Sequence, residues 1–130
     1  NLIAKIKFKL NDFKVFIKDK PVRKVAYFIW ANPWMVAAND TYINELLKLN
    51  KFENIYNNMS RYPKIEISKI RHDGDPEVVI LSSEPFPFKE KHIQELRKST
   101  GKEVILVNGE YFSWYGSRLI DAFSYFKTLH

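Results

Sequence analysis

The chain has 130 residues, 45% of them hydrophobic and 28% charged, with a formal net charge of +6. That length predicts one domain with a core of its own, and that composition excludes disorder. No apolar run approaches the roughly 18 residues of a membrane-spanning helix, no basic-then-apolar leader is visible, and there is no cysteine, so a disulfide framework, a thiolate metal site and a cysteine nucleophile are excluded.

Along the first segment, Ile3, Ile6, Leu10, Phe13 and Ile17 recur at alternating spacings of three and four. This is one apolar stripe on a helix, with lysines opposite, and Pro21 stops it. Residues 1–24 hold eight Lys/Arg against Asp12 and Asp19, whereas 25–130 hold thirteen of each sign. The excess charge therefore reads as the solvated face of this helix rather than a nucleic-acid groove spread over a domain. The helix begins without preamble, as expected of a piece of a longer polypeptide.

VAYFIW (25–30) reads as a buried strand and ANPWMVAAN as a loop. Asp40 sits where an N-cap belongs, ahead of a helix with Ile43, Leu46, Leu47 and Phe52 on one face. ENIY (53–56) reads as a short strand, IEISKI as a helical turn, HDGDP as a turn, and EVVILS (77–82) as a second strong strand. The two prolines of SEPFPF forbid regular structure. KEKHIQELRKS reads as a helix closed by Gly101, with His92 on a charge-rich face. EVILV (103–107) is a strand, NGEYFSWYG a loop, and SRLIDAFSYFKTL a last helix with Leu119, Ile120, Phe123 and Phe126 inward. Alternating strands and helices with near-continuously apolar strands predict an α/β fold: a doubly wound, mainly parallel four-stranded sheet of order 2-1-3-4, helices on both faces, preceded by part of a long amphipathic helix.

In such a sheet ligands sit outside the carboxyl ends of the strands, where the strand order reverses. The loops leaving that edge carry Trp30, Asn32, Trp34, Ser83, Glu84, Phe86, Glu110, Phe112, Trp114, Tyr115 and Arg118, which are the candidate ligand-binding residues. Aromatic walls with a few polar groups suit a small-molecule site, though the same rings could instead pin the loops to the sheet. Arg118, at a helix amino terminus, calls for an anion: Glu110, Glu84 or an acidic ligand group. The four glycines, at 74, 101, 109 and 116, form none of the usual phosphate-cradling or nucleophile-elbow motifs, and no histidine falls near the serines of that edge. His72, Asp73 and Asp75 could hold a metal, and Glu84 with Glu110 could form a carboxylate pair, but each has an ordinary reading as turn or surface. No catalytic residue, metal or cofactor is assigned. The competing readings are a small flavodoxin-like or nucleotide-modifying enzyme, against which the absence of a Gly-rich first loop counts, and a response-regulator-like module, whose acidic cluster would be needed where Trp30 stands.

The phrases IW-NPW, DTYIN-LL, SSEPFPF and GEYFSWYG-R, in that order, make residues 22–129 resemble the periplasmic substrate-binding proteins of ABC importers that carry cobalamin, haem and ferric siderophores. The resemblance implies two α/β lobes joined by one long helix, with the metal chelate held between them. On that pattern residues 1–21 are the end of the joining helix, 22–130 are the carboxy-terminal lobe, and an amino-terminal lobe supplies the other wall. It also implies a periplasmic, non-enzymatic protein, soluble or lipid-anchored, that delivers its ligand to a membrane permease. In the same pattern the acid matching the permease-docking residue is Asp40.

Overall fold

The structure, a computed structural model, describes residues 1–112 and 116–130. In chain order it comprises α1 (Leu2–Ile17), β1 (Arg23–Trp30), β2 (Met35–Val36), α2 (Tyr42–Leu49), β3 (Phe52–Asn54), α3 (Ile70–Asp73), β4 (Val78–Ser82), α4 (Glu90–Thr100), β5 (Glu103–Val107) and α5 (Gly116–Lys127). Among the described residues no helix is long and apolar enough to cross a membrane.

The parallel strands run β3-β1-β4-β5, which is the expected 2-1-3-4 order. Register is continuous through the centre, with Val25 opposite Val78 and Val78 opposite Glu103. The sheet departs from expectation at one edge. β1 pairs with β3 only along 23–25, and its far end pairs antiparallel with β2, in what the sequence presents as loop. Two residues are too few to print an alternating pattern, so β2 leaves no signature. β3 also ends earlier than ENIY suggests. The Asn54 side chain accepts the Tyr56 amide (3.0 Å) and donates to the Ala37 carbonyl (2.8 Å), turning the chain out of the sheet.

Two cores flank the sheet. On one face Val25, Tyr27, Val78, Ile80 and Val107 meet Leu46 and Leu47 of α2, Phe13 and Ile17 of α1, and Phe123 and Phe126 of α5. On the other, Ala26, Phe28, Val79, Leu81 and Val104 meet Tyr56, Ile70 and Leu96. The amphipathic reading of α1 holds best at its carboxyl half. Phe13 packs on Phe123 and Phe126 at 5.9 and 6.0 Å, Ile6 and Leu10 are half-buried, and Ile3 is 66% exposed. A fully buried ring such as Phe13 contributes roughly 1.5–3 kcal/mol. In α5, Phe123 and Phe126 are buried while Leu119 and Ile120 are half-buried. Gly101 closes α4 as expected, in the left-handed conformation at φ 69°.

Two local expectations are corrected. Thr41, not Asp40, caps α2: its Oγ1 accepts the Asn44 amide (3.0 Å) and donates to the Ala38 carbonyl (2.8 Å). Asp40 stands one residue earlier, in the left-handed region at φ 60°. His92 is buried rather than set on a charged face. Its Nδ1 accepts the Lys89 amide at 2.9 Å, and its ring meets Phe86 and Phe88 edge-on at 5.2 and 5.4 Å.

Candidate functional site

Because β1, β4 and β5 are parallel neighbours, the loops that leave them, starting at 31, 83 and 108, emerge along one edge. Hydrogen bonds knit the second to the third. The Ser83 amide donates to the Val107 carbonyl (3.0 Å), the Gly109 amide donates to Ser83 Oγ (2.9 Å), and Ser82 Oγ donates to the Glu84 carbonyl (2.6 Å). Gly109 is required here: a β-carbon would overlap Ser82 Oγ and lie 2.9 Å from Glu84 Cγ. Beyond it, the Asn108 amide donates to Tyr125 Oη (2.8 Å), and Tyr111 stacks on Tyr125 at 4.8 Å.

The expected aromatic residues separate into different roles. Trp30 is 39% exposed and meets the half-buried Phe86 edge-on at 5.0 Å, forming an open wall. Trp34 is half-buried, packed edge-on against Phe28 at 5.5 Å and stacked with Phe88 at 6.4 Å, so part of it belongs to the core beneath. Phe112 is 1% exposed, between Tyr27 (5.2 Å) and Phe126 (5.1 Å), and anchors the third loop from inside. Trp114 and Tyr115 lie outside the described residues. Asn32 is exposed at the first turn with φ 57°, a conformation that asparagine adopts more readily than most residues.

Of the charged candidates, Arg118 pairs with Glu110 at 3.4 Å. Both side chains are about half exposed, so the pair is worth under ~1 kcal/mol and positions the loop more than it stabilises the protein. Glu110 is thus turned to a cation rather than to Glu84, which is exposed. In the HDGDP turn, Asp73 accepts a hydrogen bond from Tyr56 Oη (2.8 Å) and Asp75 pairs with Lys102. No group of three or more His, Asp or Glu among the described residues is placed to hold a metal. Asp40 is exposed at the start of α2, and its carboxylate makes no ion pair among the described residues.

Between the ends of β1 and β4, where the reversal of strand order led the sequence reading to expect a ligand, lies a crevice of about 520 Å³; what that reading did not name is most of its lining. Tyr27 and Ile29 of β1, Ile43 of α2, Tyr62, Ser82 and Glu84 line it. Among those lining residues Tyr27 is a phenol inside the otherwise apolar run VAYFIW. Burial pushes the Tyr27 hydroxyl far above the ordinary tyrosine range, so it stays protonated. A larger cavity, about 680 Å³, lies between the 56–66 loop and α3. Its polar lining is exposed Asn58, Lys64, Lys69, Glu66 and His72 together with Asp73; Glu66 is engaged by Lys69 and Asp73 by Tyr56, so the edge of the sheet remains the better candidate.

No protein-family model matches the chain, and no curated protein matches it in sequence. Solved structures match it in fold. A possible iron-binding, periplasmic solute-binding protein from Staphylococcus epidermidis aligns with a TM-score of 0.79 at 16% identity, over 98% of this chain and 52% of that one. The periplasmic vitamin B12 binding protein of Vibrio cholerae gives 0.71 at 17% identity, over 94% and 49%. A periplasmic heme-binding protein from Roseiflexus gives 0.78 at 12% identity, over 98% and 53%. This chain therefore spans about half the length of the structures it matches and has the fold of one half of such solute-binding proteins, the likeness its motifs led us to expect.

Proposed function

We propose that this chain forms one wall of the ligand cleft of an ABC-importer substrate-binding protein, one that captures a metal chelate (cobalamin, haem or a ferric siderophore) and delivers it to a membrane permease. The observation that carries this reading is the exposed Trp30–Phe86 wall at the carboxyl edge of a sheet whose fold is shared with iron, B12 and heme-binding proteins. Trp30, Trp34 and Phe86 offer flat apolar surface to a bulky ligand. Asn32, Ser83, Glu84, Glu110 and Arg118 offer polar contacts around it, and Trp114 and Tyr115 belong to the same proposed set of ligand contacts. Phe112 supports the third loop from beneath. Asp40 is the docking carboxylate for the permease, and the protein works in the periplasm, without catalysis.

One wall cannot bury the roughly 70–90% of ligand surface typical of small-molecule sites. An amino-terminal lobe supplies the opposing wall in this reading. Tryptophan-fluorescence titration of the two-walled protein with cyanocobalamin, haemin and a panel of ferric siderophores tests it. Saturable quenching by one class at micromolar concentration or below supports the reading, and no quenching by any of them removes it. The chain alone should bind the same ligand at least about a hundredfold more weakly, because half the buried area is gone.

A further inference from the structure

Of the described residues that line the crevice between the ends of β1 and β4, Glu84 is the only charged one. It is exposed, and among the described residues its carboxylate makes no ion pair; Arg118 is held by Glu110 at 3.4 Å. Its backbone and its stem are both placed. The Glu84 carbonyl accepts the Ser82 hydroxyl (2.6 Å), and the side chain lies so near Gly109 that a β-carbon there would come within 2.9 Å of Glu84 Cγ. The loop therefore sets a carboxylate at the crevice that neutralises no cation of the described chain. Tyr62, 41% exposed, lines the same space, and the half-buried Ile29 and Ile43 are its apolar sides. Glu84 and Tyr62 both act electrostatically on the Tyr27 phenol, so their polar ends share one end of the crevice. Tyr27 itself is fully buried with its hydroxyl engaged by Ser82, and offers no contact to a ligand.

We propose that this crevice is a subsite for a cationic arm of the ligand, an alkylammonium whose charge meets Glu84 and Tyr62 while its methylenes lie on Ile29 and Ile43. Three features set that chemistry. A carboxylate with no counter-charge beside it attracts a cation and repels an anionic arm. Arg61 precedes Tyr62 in the chain but does not line the crevice, so no basic side chain among the lining residues competes for Glu84. A tyrosine ring adds attraction for an ammonium, and apolar sides suit a methylene stem, as they suit the stem of a lysine. A bare metal ion does not fit, because no group of three or more His, Asp or Glu among the described residues is placed to hold one. The inference rests on the function proposed above and narrows it: among metal chelates, those with positively charged peripheries are favoured over those bearing carboxylates.

Small probes test the crevice on this chain without any chelate. The chain is titrated at constant ionic strength with n-butylammonium chloride and, separately, with n-butanol, which has nearly the same shape and no charge. The methyl resonances of Ile29 and Ile43 and the Gly109 amide report on the crevice. Both probes should shift them saturably, with n-butylammonium binding about threefold to tenfold more tightly, the worth of an ion pair and a cation–π contact at a partly exposed site. Glu84→Gln keeps the side-chain shape at an exposed position, so it should melt with the parent and bind the two probes alike. The proposal is overturned if the parent binds both probes equally, if the preference for the ammonium survives in Glu84→Gln, or if neither probe perturbs the crevice. In the two-walled protein, a ferric trihydroxamate with a free terminal ammonium should bind more tightly than its N-acetylated form by a similar factor, and Glu84→Gln should erase the difference. Failure of every chelate in the titration above, with n-butylammonium still preferred at the crevice, removes the importer reading and leaves the subsite standing. Chelate quenching without that preference does the reverse.

Discussion

At the amino ends of its parallel strands the sheet is finished with charge pairs; at the carboxyl ends it is finished with rings, one of them left in water. Arg23, which opens β1, reaches Glu103 at 3.0 Å and Glu77 at 3.5 Å, tying together the starts of β1, β4 and β5. Lys51 donates to the Lys18 and Lys20 carbonyls (2.7 and 3.1 Å), fastening the turn between α1 and β1. His130 stacks on Phe52 at 5.0 Å and bonds Asn50 at 3.1 Å. Polar groups at that end satisfy one another. At the other end Trp30 stays in water, although it would be more stable covered. Under the proposed function, the contrast separates a surface built for closure from one left open to a ligand.

The comparison is tested most severely within the carboxyl edge itself. Phe112→Ala empties a buried site between Tyr27 and Phe126 and should lower the unfolding free energy by about 3–5 kcal/mol. Trp30→Ala removes an exposed ring and should change stability by less than about 1 kcal/mol, while weakening chelate binding in the two-walled protein by at least about tenfold. Chemical denaturation and ligand titration of both variants measure this. Equal stability losses would show that Trp30 is structural and that the edge is closed like the other. Next in size is Gly109→Ala. Its β-carbon would press on Ser82 Oγ and Glu84, so a loss of about 1–3 kcal/mol is expected, together with distortion of the crevice. A neutral substitution would mean that the two loops are not locked together.

A smaller effect belongs to the amino end. Partial burial, reinforced by Lys20 and Arg23, depresses the His130 pKa below its ordinary 6.5. The unfolded chain therefore takes up a proton before the folded one does. The stability from neutral His130 is present above 6.5 and is lost as pH falls below it. Thermal melts between about pH 7.5 and about pH 5.5 should show that decline, and His130→Gln should flatten it. An identical decline in the variant would assign it to other groups.

The central strands and their order were legible because continuous β-branched and aromatic runs at 25–30, 78–82 and 103–107 leave little choice once helices alternate with them. What escaped depended on backbone direction rather than residue type. Trp30 and Phe112 both follow apolar strands, yet one faces water, while a short helical turn over Gly109–Phe112 leaves the other buried against Tyr27 and Phe126. His92 was hidden by the loop holding Phe86 and Phe88, whose irregular path two prolines made unreadable. Asp40 and Thr41 are both competent caps, and the left-handed φ of Asp40 decides between them.

That decision sharpens the last and smallest test. Asp40 is exposed, does not cap α2, and makes no ion pair among the described residues, so its charge has no structural task there. Asparagine tolerates the same left-handed backbone and keeps the side-chain shape. Asp40→Asn should therefore leave stability within about 0.5 kcal/mol and chelate affinity unchanged. If Asp40 docks against a basic patch on the permease, the variant should associate more slowly with permease in nanodiscs, with dissociation less affected. The deficit should shrink as salt rises from about 0.01 M to about 1 M, since the Debye length falls from ~30 Å to ~3 Å. Equal association rates for parent and variant at low salt would remove Asp40 from the interface. An equal deficit at every salt concentration would mean that a direct hydrogen bond, not a steering charge, was lost.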